Sequence, residues 1–265
     1  MTSPTSEVIW PTIEALRWRV LDPIINVADA PRLLAALRGA LMAAIGRDIP
    51  ATLHGHGADG TPLVGHRHAY YVPVALEGTR VLEVVAMLPG SGFELRLVRR
   101  FADVDALWGK RVDGTHFQVR IGLVLVGELE RVAPELTGRT RRWRSLTPFL
   151  PHRHPKRGAL ESFLAEEVER ELGAAGKPAR VVNLTIERGP TYLAGRERLH
   201  PRSSFLLDLL LDRALTGPLI LGEQAHLGLG ALVATEPPAT DNDLESATEA
   251  SRGMPSPTSG SRPTG

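Results

Sequence analysis

Residues 70–88 read YYVPVALEGTRVLEVVAML, two apolar runs that are parted by the tripeptide Glu77-Gly78-Thr79. Aromatic and β-branched side chains favour strands, and a glycine in a short connection permits the positive φ that many hairpin turns need. The segment therefore predicts a β-hairpin, with residues 70–76 and 81–88 as its two strands.

The sequence on either side of this hairpin extends it to a larger unit. Residues 16–21 alternate apolar and charged side chains, as a strand does, and residues 31–45 have a helical apolar period with Asp29 as its expected N-cap. A weaker helical period covers residues 95–108, and residues 115–126 again predict a strand. The order β-α-β-β-α-β is that of a ferredoxin-like unit, which RNA-recognition modules also use.

A second unit is less complete in the sequence. Residues 160–172 predict an amphipathic helix, residues 180–187 and 203–211 predict strands, and residues 217–233 form an apolar run that glycines interrupt. We therefore expect an α+β, tandem ferredoxin-like protein. Its predicted parts are an N-terminal domain with a histidine loop (1–130), a basic linker or strand (131–158), a C-terminal domain with the glycine-rich element (159–234) and a disordered tail rich in Pro, Ser, Thr and Gly (235–265).

The composition of the 265 residues excludes several classes of protein. Cysteine is absent, which excludes disulfides, thiolate metal sites and a cysteine nucleophile. No apolar run approaches the roughly 20 residues that span a bilayer, and the first residues lack the basic-then-apolar order of a secretory signal. We expect a cytoplasmic protein without a membrane partner.

Histidines separated by one residue occur three times, as His54/His56, His66/His68 and His152/His154. The pair His66/His68 directly precedes the hairpin, and in an extended segment both imidazoles and Tyr70 would point to one side. Two imidazoles that titrate near neutral pH suit acid–base chemistry. The alternatives are a solvated surface cluster and a metal site, although no local pattern supplies the third and fourth ligands of a zinc or iron site.

Positive charge is densest between residues 139 and 157, where no acidic residue occurs and where Trp143 and Phe149 lie among the cations. Cations neutralise phosphates and flat rings stack on unpaired bases, so the run suits RNA. Its alternative is a solvated linker. The predicted RNA contacts in this run are Arg141, Arg142, Arg144, Arg153, Lys156 and Arg157.

Three separated motifs, residues 55–69, 143–149 and 217–230, resemble one protein family. It is the CRISPR-associated protein of subtype I-U (also called I-G), in which a backbone subunit of the effector complex is fused to the guide-RNA processing ribonuclease. The chain is similar to the ribonuclease part, over roughly residues 17–233. The resemblance implies a member of the RAMP superfamily that cuts CRISPR repeat transcripts without a metal or other cofactor.

The resemblance also implies functional residues. One of His66 and His68 would be the catalytic histidine, and the glycine-rich element would contact RNA through Gly222, His226, Gly228 and Gly230. Cleavage through the RNA 2′-OH needs a base, an acid and a positive charge near the phosphorane. Histidine can fill the first two roles, and Arg67 or a cation from the basic run the third.

The implied partners are the CRISPR repeat RNA, as precursor and as guide RNA, and other effector subunits. Two other functions stay open at this point. One is a subunit that holds guide RNA without cutting it. The other is a metal-dependent hydrolase that uses the histidine pairs.

Overall fold

The computed structural model describes residues 13–55, 60–61, 68–88, 90, 92–110, 114–153, 159–189, 192–194 and 200–235. The first half contains β1 (Ala15–Asp22), β2 (Ile25–Asn26), α1 (Ala30–Ile45), α2 (Ala51–His54), β3 (Tyr70–Glu77), β4 (Arg80–Met87), α3 (Leu95–Ala102), β5 (Ala106–Lys110) and β6 (His116–Gly127). Two short helices follow, α4 (Leu129–Val132) and α5 (Pro134–Thr137). The second half contains β7 (Arg139–Ser145), α6 (Leu160–Ala174), β8 (Val181–Arg188), β9 (Tyr192–Ala194), β10 (His200–Arg202), β11 (Phe205–Thr216), β12 (Leu219–Ile220) and β13 (Ala231–Ala234).

The first half is a ferredoxin-like unit. Its antiparallel sheet runs β3-β4-β1-β6-β5, and the short β2 also pairs with β4. Helices α1 and α3 pack on one face, where Trp18, Leu37 and Phe101 are fully buried in one core. Strands β1, β3, β4 and β6 with these two helices give the β-α-β-β-α-β order, and β5 adds an edge strand.

The second half repeats the arrangement with one replacement. Its antiparallel sheet runs β8-β11-β7-β13-β12, and α6 packs on one face around Trp143 and Leu209. Between β11 and β13, where a ferredoxin-like unit has its second helix, lies the glycine-rich element with a single 3-10 turn at Ala225–Leu227. The predicted tandem ferredoxin-like α+β fold is confirmed, with this element in the place of the last helix.

Several local predictions can be compared with these elements. The strand at 16–21, the hairpin, and the helices at 31–45 and 160–172 are confirmed. The helical prediction for 95–108 is wrong at its end, because α3 stops at Ala102 and residues 106–110 form β5. Leu107 faces the core while Trp108 is exposed, so the apolar period had changed from helical to strand-like.

The start of α1 also differs in detail from the prediction. Asp29 occupies the N-cap position, but its side chain makes no capping hydrogen bond. Asn26 caps a preceding 3-10 turn instead, since its side chain accepts the N–H of Ala28 at 2.9 Å. Helix α1 therefore continues directly from a turn that is already capped.

The two halves meet on the face of the first sheet that lies opposite α1 and α3. Val72, Val85 and Met87 share a core there with residues of α4 and α5 and with Ile220 and Ala231 of the second half. Within the basic run, residues 139–145 form the middle strand β7. Thr235 still bonds the carbonyl of Arg142, and the predicted tail from residue 236 onward lies outside the described residues. No helix in the described part of the chain is long and apolar enough to cross a membrane.

Candidate active site

Two imidazoles from opposite halves of the chain meet beside β3. His68 lies two residues before β3, and His226 lies in the 3-10 turn of the glycine-rich element. Their ring centroids are 5.7 Å apart, with the ring planes at 84°. The Tyr70 ring lies 5.2 Å from that of His68, so these two side chains share one side of the strand, as predicted.

Glycines allow the element that carries His226 to pack this closely. Gly228 has a φ of +78°, and a Cβ atom there would lie 2.6 Å from Leu34 Cδ1 and 2.7 Å from the carbonyl oxygen of Tyr71. Only a residue without a side chain fits between α1 and β3 at this point. The turn is therefore held against the first half, and His226 with it.

Gly222 and Gly230 meet similar restrictions. A Cβ atom at Gly222 would lie 2.5 Å from the carbonyl oxygen of Leu150, and one at Gly230 would lie 1.8 Å from that of Leu221. Both glycines also have a positive φ. Packing is thus sufficient to account for these glycines, and their contact with RNA stays a prediction.

The surroundings of His226 keep its imidazole neutral. Burial, together with the positive charges of His68 and Arg38, lowers the pKa of His226 to about 4. Arg38, in the middle of α1, is fixed by hydrogen bonds to the carbonyl oxygens of Leu53 at 3.3 Å and His54 at 2.5 Å. An imidazole in its base form thus lies beside a second imidazole and a fixed guanidinium.

Tyr70 enters the site as a neutral phenol. Burial raises the pKa of Tyr70 above its ordinary value, and the negative charge of Glu171 acts in the same direction. The phenol can therefore donate or accept a hydrogen bond beside His68 without changing the charge of the site. The site therefore offers a base, a proton donor and a cation, which is a set suited to acid–base chemistry at a phosphate. Its four side chains are those of Arg38, His68, Tyr70 and His226.

No protein-family model matches the sequence, and no curated protein matches it either. Among solved structures, the chain is similar to one described as a CRISPR associated protein Cas6, with 11% identity and a TM-score of 0.43 over 86% of this chain and 100% of that one. A second, described as a RAMP protein binding different RNA substrates, has 13% identity and a TM-score of 0.43 over 85% and 100%. A third, described as Csf5, a type IV Cas6 crRNA endonuclease, has 11% identity and a TM-score of 0.41 over 85% and 100%.

Several predicted site residues lie outside the described residues. These are His66 and Arg67, which directly precede His68, and Lys156 and Arg157 of the basic run. Each of the three histidine pairs also has one member there, namely His56, His66 and His154. Within the described ranges, no group of three or more His, Asp or Glu side chains could hold a metal ion.

The described cations of the basic run have different surroundings. Arg142 and Arg144 are on the face of β7 opposite the buried Trp143, and Arg144 is exposed there. The Nε of Arg141 donates to the carbonyl oxygen of Leu211 at 2.9 Å. Arg153 forms an ion pair with the buried Glu167. Arg141 and Arg153 thus have partners within the chain, and all four RNA contacts stay predictions.

Glu167 is ionised although it is fully buried. Burial alone would raise the pKa of Glu167, but hydrogen bonds from Arg170 at 2.8 Å and from Arg153 hold that pKa below its usual value. Removing either guanidinium partner of a buried carboxylate is costly, because the remaining negative charge is then poorly compensated. The ion pair of Arg153 with Glu167 therefore fixes the segment after β7 to α6.

Sequence reasoning missed Arg38. It placed His226 among the RNA contacts and made it the next catalytic candidate after His66 and His68. The signal for Arg38 was weak but present, since it is one of two charged residues in a helix otherwise built of Ala, Leu, Gly, Pro, Met and Ile. The pairing of His226 with His68 had no local signal, because it depends on how the two halves pack.

Proposed function

We propose that the chain is a metal-independent endoribonuclease that cuts CRISPR repeat transcripts into guide RNAs in the cytoplasm. The observation that carries the proposal is the 5.7 Å approach of His68 and His226 at the junction of the two halves. The sequence motifs add the substrate and the family, the ribonuclease part of the subtype I-U (I-G) protein in the RAMP superfamily. The partners proposed with it are the repeat RNA and other effector subunits.

The two imidazoles would divide the proton transfers between them. His226, which is neutral at pH 7, takes the proton of the RNA 2′-OH as that oxygen attacks the adjacent phosphorus. His68 gives a proton to the 5′-oxygen as the P–O bond breaks. The products are a 2′,3′-cyclic phosphate and a free 5′-OH. Because the nucleophile belongs to the RNA, the reaction needs no activated water.

The bound phosphate would itself help this division of roles. Its negative charge raises the pKa of His226, which offsets the effect of burial and of the Arg38 charge on that imidazole. Arg38 then faces a group whose negative charge grows in the transition state, and a fixed guanidinium stabilises such charge well. Arg67 is a second candidate for this role, and His66 is the alternative to His68.

Incubation of a labelled repeat RNA with the protein in excess EDTA tests this proposal. We expect cleavage to continue and to give a 2′,3′-cyclic phosphate or 3′-phosphate end. His68→Ala and His226→Ala should each lower the single-turnover rate by about 10²- to 10⁴-fold with little change in RNA binding, because each removes one proton-transfer group. His54→Ala, which lies outside the imidazole pair, is the matched control and should cleave like the parent.

Two results would contradict the proposal. Loss of cleavage in EDTA that zinc or manganese restores would favour a metal-dependent hydrolase. Tight binding of the repeat RNA by the parent protein without any cleavage would favour a subunit that only holds guide RNA.

A further inference from the structure

Trp108 is the most exposed of the large hydrophobic side chains in the described part of the chain, with 68% of its surface accessible. Trp18 and Trp143, by contrast, are fully buried in the two cores. A tryptophan has the largest apolar surface of any side chain, so leaving it in water forgoes a large hydrophobic stabilisation. An indole in this position on a folded surface suggests a contact with another molecule.

The strand register surrounds Trp108 with polar and positively charged side chains. In the β5–β6 pair, Trp108 lies opposite Gln118, Lys110 lies opposite His116, and Ala106 lies opposite Arg120. Opposed residues of an antiparallel pair point to the same face of the sheet. All of these side chains except that of Ala106 are exposed.

On this face of the sheet, the described part of the second half leaves β5 and the paired part of β6 uncovered. The alternating residues Leu107, Phe117 and Val119 are buried against the helices on the opposite face. On the Trp108 face, the second half packs on Val72 and Val85 of β3 and β4, at the other side of the sheet. The exposed residues of β5 and β6 are therefore accessible, and we call Trp108, Lys110, His116, Gln118 and Arg120 the Trp108 platform.

The charge of the Trp108 platform complements a polyanion. Lys110 and Arg120 flank the indole, and the platform itself contains no carboxylate. Strand β1 lies on the other side of β6, and among the described residues the only acid of β1 that pairs with a platform residue is Asp22, opposite Arg120. Gln118 and His116 add hydrogen-bonding groups. An exposed ring between two cations is the arrangement that binds unpaired bases and their phosphates.

We propose that the Trp108 platform binds a single-stranded segment of RNA, with a base stacked on the indole and phosphates beside Lys110 and Arg120. The proposal rests on the proposed function only in that the chain acts on RNA. Strands β3 and β5 are opposite edges of the sheet, four strand spacings or about 19 Å apart. The platform is thus separate from the imidazole pair beside β3, and would hold a part of the RNA that is not being cut.

Binding of a labelled oligouridine RNA to the full chain tests this proposal. Loss of one base stack corresponds to an affinity at least about 5-fold weaker, so we expect this effect from Trp108→Ala. Trp108→Phe keeps an aromatic face and should bind within about 3-fold of the parent. Leu95→Ala is the matched control, because Leu95 is 52% exposed on α3 and lies away from the platform.

Tryptophan fluorescence gives a second reading of the same site. The sequence has four tryptophans, so the measurement uses a Trp10→Phe background. Oligouridine should quench the emission of that protein, and adding Trp108→Phe should remove the quenching although RNA still binds, because the two remaining tryptophans, Trp18 and Trp143, are buried. A fully paired RNA duplex of equal length should bind without the quenching, since its bases are not free to stack on the ring.

Several outcomes would overturn the proposal. One is equal affinity of the parent and Trp108→Ala for oligouridine. Another is a change in sedimentation of Trp108→Ala without a change in RNA binding, which would make the β5 edge a contact between copies of the chain. If Trp108→Ala binds normally while His68→Ala loses cleavage, only the platform fails. If the parent binds neither the repeat nor oligouridine, the proposed function fails with it.

Discussion

The buried carboxylate of Glu171 in α6 accepts the backbone N–H of Gly222 at a distance of 3.1 Å. Arg170 holds the other oxygen of this carboxylate at 3.0 Å. Gly222 begins the turn that carries His226 four residues later. The helix of the second half therefore fixes the start of the loop whose far end lies against the first half.

We expect Glu171→Ala to misplace His226. The substitution leaves the Gly222 N–H without its acceptor in a buried position, which costs about 1 to 3 kcal/mol of stability. The rate of repeat cleavage at saturating RNA should fall, with a smaller change in KM, because the loop loses its anchor and the RNA surface does not. Single-turnover kinetics and chemical denaturation measure the two effects.

Two matched variants separate positioning from a general loss of stability. Glu171→Gln keeps an oxygen acceptor and should retain most of the cleavage rate. Glu166→Ala changes an exposed glutamate of the same helix and should behave like the parent. Equal cleavage by Glu171→Ala and the parent at full RNA occupancy would show that Gly222 needs no anchor.

The sequence predicted the secondary-structure elements better than the contacts between them. The hairpin at 70–88 and the helix at 31–45 had strong local patterns, and each formed where it was expected. The helical period after Leu95 failed beyond Ala102, because Phe101, Val104 and Leu107 keep a spacing of three residues through the change to a strand. Apolar positions three apart cannot by themselves distinguish a helix from a helix that leads into a strand.

The candidate site shows the same limit more sharply. His68 was predictable because a dense polar segment precedes a strand. Its contact with His226 was not, since a glycine-rich run reports only that another backbone is close, and not which one. The fold of the second half determines that α1 and β3 are that partner.

The low pKa of His226 predicts a pH dependence of stability. Burial, with the charges of His68 and Arg38, lowers this pKa from 6.5 to about 4 in the folded chain. Between these values the unfolded chain binds more protons, so the free energy of unfolding should rise as pH increases from 4 to 6.5. His226→Gln removes the group, and denaturation curves over this range should show a shallower rise. Parallel curves for parent and variant would contradict the shift.

The cations on the outer face of β7 predict a change in the salt dependence of RNA binding. Replacing Arg142 and Arg144 by alanine should reduce the slope of log K against log salt by roughly 0.7 for each phosphate that the two arginines neutralise in the parent. Arg141→Ala should differ, because its Nε bonds the Leu211 carbonyl and its removal should lower stability first. Binding titrations at several salt concentrations measure the slope. An unchanged slope in the double variant would remove β7 from the RNA surface.

The packing of Gly228 predicts that cleavage depends on how the glycine-rich element rests on the first half. In Gly228→Ala the new methyl group would lie 2.6 Å from Leu34 Cδ1 and 2.7 Å from the Tyr71 carbonyl oxygen, at a φ of +78°. Leu34 can yield, but the backbone oxygen cannot, so the turn with His226 must move away from His68. We expect a loss of about 1 to 3 kcal/mol in stability and a fall in cleavage rate larger than the fall in RNA affinity.

Gly39→Ala is the matched control, since nothing lies within 4 Å of a Cβ atom at Gly39 in α1. Alanine there should raise the free energy of unfolding by about 0.5 to 1 kcal/mol. Undiminished cleavage by Gly228→Ala would mean that His226 does not need its place beside His68, and would remove it from the mechanism.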